Sequence, residues 1–228
     1  MILIELTKFR LQYVTHSNDK FSHIEGAKFA LEGGCRWIQL RMKKYLNETE
    51  LLNSANELKK LCENYDAIFL INDYVELVKK VDADGVHLGK NDMLPSNARK
   101  ILGENKIIGG TANTIEDIQF LAQQKVNYIG LGPFRFTTTK ENLSQVLGIE
   151  GYTQIFNEIK KVNEIKNNVA TENIPIVTIG GITKDDISDI LKTGADGIAV
   201  SGAILNAENP TNETKIIIDK INKHFSYE

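Results

Sequence analysis

Several things are scarce in this chain, and each scarcity excludes something. Its 228 residues include two cysteines, four prolines and one tryptophan. Cys35 and Cys62 have no CxxC spacing and are too few for a disulfide framework, so both are expected as reduced core residues. No Pro/Ser-rich linker or low-complexity tract breaks the sequence, and Pro95, Pro133 and Pro175 fall at expected element boundaries. One domain over 1–228 is therefore expected. No segment approaches the roughly 20 apolar residues of a membrane span. The start, MILIELTKFR, is apolar for only four residues before Glu5, Lys8 and Arg10 interrupt it, too short for a signal peptide. A net charge of −3 spread along the chain supplies neither a basic stripe nor an acidic tail, so neither nucleic acid nor membrane is expected as a partner. There is no Ser–His–Asp ordering, cysteine nucleophile or zinc-ligand spacing. A cytoplasmic enzyme is the expectation.

What is present is an apolar share of 42%, ample for a continuous core, arranged as short runs with amphipathic stretches between them. The runs read as strands near Leu11–Thr15, Trp37–Arg41, Ile68–Asn72, Gly85–Leu88, Lys106–Gly110, Tyr128–Leu131, Ile176–Ile179 and Gly197–Val200. Over Glu48–Asn64, Leu51, Leu52, Ala55, Leu58 and Leu61 fall at helical spacing. Thr114–Gln124, Gly151–Ile165, Lys184–Thr193 and Glu213–His224 read the same way. Parallel neighbours need crossovers, so eight strands separated by helices predict a closed (β/α)8 TIM barrel, with an open doubly wound sheet as the alternative. Two connections are long. Gly132–Gly148 lacks helical periodicity and is a candidate active-site loop. The polar Lys166–Asn173 follows a helix, which places it on the barrel's opposite, stability face.

Polar chemistry gathers where the strands end. In QLRMK (Gln39–Lys43), Gln39 and Arg41 share a strand face with Trp37, while Ile38 and Leu40 take the other. An arbitrary Arg or Lys is usually a solvated charge, but barrel active sites occupy the rim that Arg41 and Lys43 follow. IND (Ile71–Asp73) and GVHLGKND (Gly85–Asp92) bring Asp73 and Asp92 to that rim. Two converging carboxylates repel unless one binds a proton, and Mg²⁺ relieves the repulsion while leaving positions for phosphate oxygens. Helix capping explains either Asp singly. It explains the pair poorly. GPFRFTTTK (Gly132–Lys140) adds hydroxyls, loop amides and a lysine. TIGGI (Thr178–Ile182) and GIAVSGAI (Gly197–Ile204) end the last two strands in glycines that let amides approach an anion. Among the histidines, His16 borders the mouth, His23 and His224 read as surface residues, and His87 reads as a satisfied core histidine.

Taken in order, these motifs resemble the thiamine phosphate synthase family over essentially the whole chain. The family's QLR-x-K and IND strand ends match Gln39–Lys43 and Ile71–Asp73. Its ADGVHLG-xx-D segment matches Ala83–Asp92, its GP-xx-xTxTK loop Gly132–Lys140, its IGGI end Ile179–Ile182 and its GADG strand Gly194–Gly197. The resemblance implies a Mg²⁺-dependent transferase in thiamine biosynthesis. Such an enzyme joins a hydroxymethylpyrimidine diphosphate to a thiazole phosphate, or its carboxylated form, and releases pyrophosphate by way of a pyrimidine cation. It implies that Gln39, Arg41, Lys43, Asn72, Thr111 and Lys140 contact the pyrimidine diphosphate, with Arg41, Lys43 and Lys140 catalytic. It implies that Asp73 and Asp92 hold Mg²⁺, and that Thr137, Thr139, Gly180, Gly181, Ser201 and Gly202 hold the thiazole phosphate. Small phosphorylated substrates are the expected partners, and a homo-oligomer stays open.

The chain departs from the pattern at Met42, where Glu is usual, at Thr111, where Ser is usual, and at Thr138, where Pro is usual. AVSGAI stands for AVxSAI. A related thiazole tautomerase shares the barrel but carries a histidine where this chain has Asn113. A phosphate-binding barrel without catalysis is the other competing reading, and the intact Asp73/Asp92 pair and Lys140 argue against it.

Overall fold

A computed structural model describes residues 10–43, 47–136, 145–166 and 174–226, with residues 162–166 described by backbone alone. Thr137, Thr139 and Lys140, and most of Lys166–Asn173, lie outside the described residues.

Eight short strands form where the apolar runs predict them. They are β1 (Leu11–Val14), β2 (Trp37–Leu40), β3 (Ile68–Asn72), β4 (Gly85–Leu88), β5 (Ile107–Ala112), β6 (Tyr128–Leu131), β7 (Ile176–Ile179) and β8 (Gly197–Val200). Each pairs in parallel with the next, and β8 returns to β1 through Leu11↔Ile198, Gln12↔Ala199 and Tyr13↔Val200, which closes the barrel and excludes the open sheet. Around it run α1 (His23–Glu32), α2 (Glu48–Glu63), α3 (Val75–Val81), α4 (Pro95–Leu102), α5 (Ile115–Gln123), α6 (Gly148–Lys166), α7 (Ile187–Lys192), α8 (Gly202–Leu205) and α9 (Pro210–Phe225).

Local chemistry sets the helix ends. Ser22 and Glu25 form a capping box on α1, as Thr114 and Asp117 do on α5. α9 starts three residues before the expected Glu213, because Asn209 caps it and Pro210 suits the first turn. On α2, Leu51, Ala55, Leu58 and Cys62 are buried on one face, each large apolar side chain contributing about 1.5–3 kcal/mol. The reading above contains no helix at α1, whose interior Gly26 weakens helical propensity. A Cβ there would meet Tyr13 and stand 2.9 Å from Leu205, so packing against the barrel explains the glycine.

Successive strand side chains point to opposite faces, and this divides the apolar residues into two clusters. Ile38, Leu40, Met42, Phe69, Ile71, Val86, Leu88 and Ile108 pack outward against the helices. Val14, Trp37, Leu70, Ile107, Tyr128, Val177 and Ala199 fill the barrel's inside. Met42 thus turns away from Arg41, as parity requires. Cys35 and Cys62 are both buried and unpaired with each other, and burial pushes their thiols up to about 11 and about 12.

Candidate active site

The interior is not apolar throughout. Gln12, Gln39, Asn72, His87 and Thr111 also point inward, and above them opens a cavity of about 460 Å³ at the carboxyl ends of the strands. The rim that the sequence points to is therefore one place. Gln39, Arg41, Lys43, Asn72, Asp73, Asp92 and Thr111 line one side of this cavity, and Gly180, Gly181, Ser201 and Gly202 line another.

The carboxylate pair is built by two turns. Asp73 follows β3 with φ 67°, a left-handed conformation that Asp tolerates better than most residues. Its amide donates to the His87 carbonyl at 2.9 Å, which ties the β3 end to β4. Asp92 reaches back to accept from the Gly89 amide at 2.7 Å. Neither caps a helix: α3 and α4 begin after Tyr74 and Leu94, with no side-chain cap bond. The capping explanation is thus set aside for both residues.

Asp73 and Asp92 share a hydrogen bond, and Asp73 also accepts from Lys43 and from the Asn72 amide. Burial, then the neighbouring Asp92, raises the Asp73 carboxyl to about 6 despite Lys43. For Asp92 burial pulls upward, but the hydrogen bonds from Asp73 and Gly89 outweigh it and the acid lies below its usual range. One proton shared between two carboxylates is what a hard divalent cation displaces. The donor set fits Mg²⁺: two carboxylates, with the Asn72 amide beside them and room for phosphate oxygens. Among the described residues no cluster of three or more His, Cys, Asp or Glu offers a fuller cage.

Arg41 is held by its backbone. Its amide donates to Thr15 Oγ1 at 3.0 Å, and Thr15 Oγ1 lies 2.8 Å from His23 Nδ1. His23 is half-buried beneath the mouth, which corrects the reading of it as a surface residue. Burial, followed by the charges of His16 and Arg41, lowers its pKa to about 4, so it is neutral at neutral pH. Burial and Arg41 lower His16 as well.

Gly180 and Gly181 have φ of 103° and 70°, and a Cβ on Gly180 would stand 2.7 Å from Pro133. Arg135 donates to the Gly181 carbonyl at 2.8 Å and makes a two-pronged ion pair with Asp186 at 2.8 Å. This clamp joins the start of the Gly132–Gly148 connection to the β7 end, so Arg135 serves the backbone rather than the cavity. Asn113, the tautomerase position, donates its side-chain amide to the Gly132 carbonyl.

Sequence reasoning passed over part of the lining. Gln12, Thr183 and Asn206 face the cavity, and His87, read as a core residue, does too while both its ring nitrogens are hydrogen-bonded. Strand parity alone was the signal available for Gln12 and His87.

With this geometry in view, the comparisons with known proteins agree with one another. The family described as thiamine monophosphate synthase matches residues 11–204. A thiamine-phosphate synthase of Bacteroides thetaiotaomicron is 53% identical over 92% of this chain and 96% of its own length. That of Flavobacterium psychrophilum is 48% identical over 94% of this chain and 98% of its own. A solved thiamine phosphate pyrophosphorylase from Pyrococcus furiosus superposes with a TM-score of 0.80 at 33% identity, covering 95% of this chain and 97% of that one. The closed barrel is thus the fold of that solved structure as well, and the chain belongs to the thiamine monophosphate synthase family.

Proposed function

We propose that this chain is a thiamine phosphate synthase. It couples 4-amino-2-methyl-5-hydroxymethylpyrimidine diphosphate with 4-methyl-5-(2-hydroxyethyl)thiazole phosphate, with Mg²⁺ held by Asp73 and Asp92. The observation that carries this reading is the meeting, in one cavity, of a cation-and-carboxylate side with a glycine-rich side. The first has Arg41, Lys43, Asn72, Asp73 and Asp92, and the second has Gly180, Gly181, Ser201 and Gly202. Two phosphorylated substrates need two such sides.

The bond between the pyrimidine methylene carbon and the diphosphate oxygen breaks, and the electron pair leaves with pyrophosphate. The electron-rich pyrimidine stabilises the cation that remains, and the thiazole nitrogen lone pair then forms the new carbon–nitrogen bond. No general base is required. Arg41 and Lys43 meet the charge that grows on the leaving diphosphate, with Lys140 assigned the same task by resemblance. Bound Mg²⁺ supplies further charge neutralisation at that group. Holding both partners in one cavity removes the entropic cost of their encounter. The closed floor of the barrel would keep bulk water from reaching the cation from below.

Asn113 donates an amide to a backbone carbonyl and carries no proton-accepting imidazole, so this position does not favour the tautomerase. The two reduced cysteines fit a cytoplasmic location, and no helix among the described residues is long and apolar enough to cross a membrane. The test is incubation with both phosphorylated precursors and Mg²⁺, following thiamine phosphate and pyrophosphate. Equal amounts of the two products are expected. Conversion of a thiazole substrate alone, without pyrophosphate, would refute the reading.

A further inference from the structure

Beneath the cavity, five side chains from five strands form one hydrogen-bonded chain across the barrel. Gln39 Nε2 donates to Gln12 Oε1 at 3.2 Å, and Gln12 Nε2 donates to the Tyr128 hydroxyl at 3.2 Å. That hydroxyl lies 2.8 Å from His87 Nδ1, and His87 Nε2 lies 2.9 Å from Thr111 Oγ1. Gln39, Gln12, His87 and Thr111 line the cavity, whereas Tyr128 does not and is fully buried. Tyr128 is nevertheless placed with care. Trp37 meets its ring edge-on at 4.7 Å between centroids, and glycine at 109 leaves the space its ring occupies. His87 is seated as closely: a Cβ on Gly130 would stand 3.1 Å from its Cε1.

Such a chain has a direction. An amide nitrogen only donates, so the Tyr128 oxygen accepts from Gln12 and its single proton goes to His87 Nδ1. Neutral imidazole then carries its proton on Nε2 and donates to Thr111, whose own hydroxyl proton remains for the cavity. At the other end, Gln39 uses its amide nitrogen on Gln12 and keeps Oε1 for the cavity. Reversal would require turning every link at once, to give a donor at Gln39 and an acceptor at Thr111.

We propose that Tyr128 and Gln12 are positioning residues that hold His87 as the Nε2–H tautomer. Thr111 then meets the substrate as a donor and Gln39 as an acceptor. This deepens the function proposed above. A floor with an acceptor beside β2 and a donor beside β5 suits an aminopyrimidine, which offers an exocyclic N–H and ring-nitrogen lone pairs. A ring with the opposite arrangement is refused because each end would face a like group.

The test is ¹⁵N NMR of the histidine-labelled full chain, with the His87 signals assigned by their absence from His87→Gln. The wild-type protein should show His87 in the Nε2–H form. Tyr128→Phe keeps the ring that Trp37 packs on but removes the donor to Nδ1, and Gln12→Met removes the group that forces the direction. Each should mix the two tautomers. Tyr128→Phe should also raise the KM for the pyrimidine diphosphate about tenfold, the worth of one misdirected hydrogen bond, and leave that for the thiazole phosphate unchanged. An Nδ1–H tautomer in the wild-type protein, or a wild-type tautomer in Tyr128→Phe, would overturn the proposal. The tautomer is read without turnover, so its failure and a failure of the synthase reading are separate results.

Discussion

Replacing Asp73 by Asn should make the cation-free protein more stable and the enzyme much slower. The Asp73 carboxyl sits 11% exposed against Asp92, and its pKa rises from 3.8 to about 6, first through burial and then through Asp92. A carboxylate whose folded pKa lies above its unfolded value costs stability once it ionises. The cost is absent below 3.8, grows as pH rises towards about 6, and is full above that. Lys43 and solvent at the open mouth screen it, so the relief from Asn should be about 1 kcal/mol. Asn also accepts the left-handed backbone at this position, where φ is 67°, and keeps an oxygen for the Asn72 amide. Urea unfolding with chelator at pH 4 and pH 8 reads the effect directly. Asp73→Asn should match the wild-type protein at the lower pH and exceed it at the higher. With Mg²⁺ and pyrophosphate as the probe, the wild-type protein should gain stability and the variant should not. Turnover by the variant should fall by about 10²–10³. A variant less stable at pH 8, or a difference that ignores pH, would show that the Asp73 carboxylate is a structural anchor for Lys43.

Other perturbations separate charge, backbone and burial. Asp92→Ala removes the second carboxylate and leaves the Gly89 amide without its 2.7 Å acceptor, so turnover should fall by about 10²–10³ and the residual rate should lose its dependence on Mg²⁺. Gly181→Val places a branched side chain at φ 70° with its Cβ 2.6 Å from Arg135 Cγ, so it should cost about 2–4 kcal/mol in unfolding experiments without any ligand, through the Arg135–Asp186 clamp. Ser201→Ala should leave thiazole phosphate affinity within about threefold by calorimetry, since the backbone amide remains. For His23, whose folded pKa lies near 4 against 6.5 unfolded, the unfolded chain binds the extra proton. Stability should therefore fall as pH drops from 6.5 to about 4, by about 3 kcal/mol in all, and His23→Gln should flatten that slope.

Much of this fold was legible because parallel barrel strands are apolar on both faces and stop at glycine or polar residues. Tyr128–Leu131 and Gly197–Val200 show it, every residue of each being buried. Parity within one strand was enough to set Arg41 inward and Met42 outward. The short α8 was not legible, since four residues carry no periodicity to read, and α1 was hidden by Gly26. The Asp73/Asp92 pair could be seen because both residues follow strands. That neither caps the next helix could not, since it depends on where α3 and α4 begin.

The hydrogen-bonded chain under the cavity was illegible for a deeper reason. Gln12 and Tyr128 are 116 residues apart and lie on β1 and β6, which are not neighbours in the sheet. Their contact arises only because the barrel closes and its inside is narrow enough for side chains to meet across it. Sequence periodicity reports which face a residue takes, never which residue it finds there. A Gln within an apolar strand and a Tyr at a strand start look like ordinary core choices. Yet burying an amide, a phenol and an imidazole together is favourable only when each is satisfied by another. An apolar set of similar size would fill the same space without that condition. The polar set therefore answers to the cavity above it, and the substrate's donors and acceptors complete a pattern that begins one layer below the site.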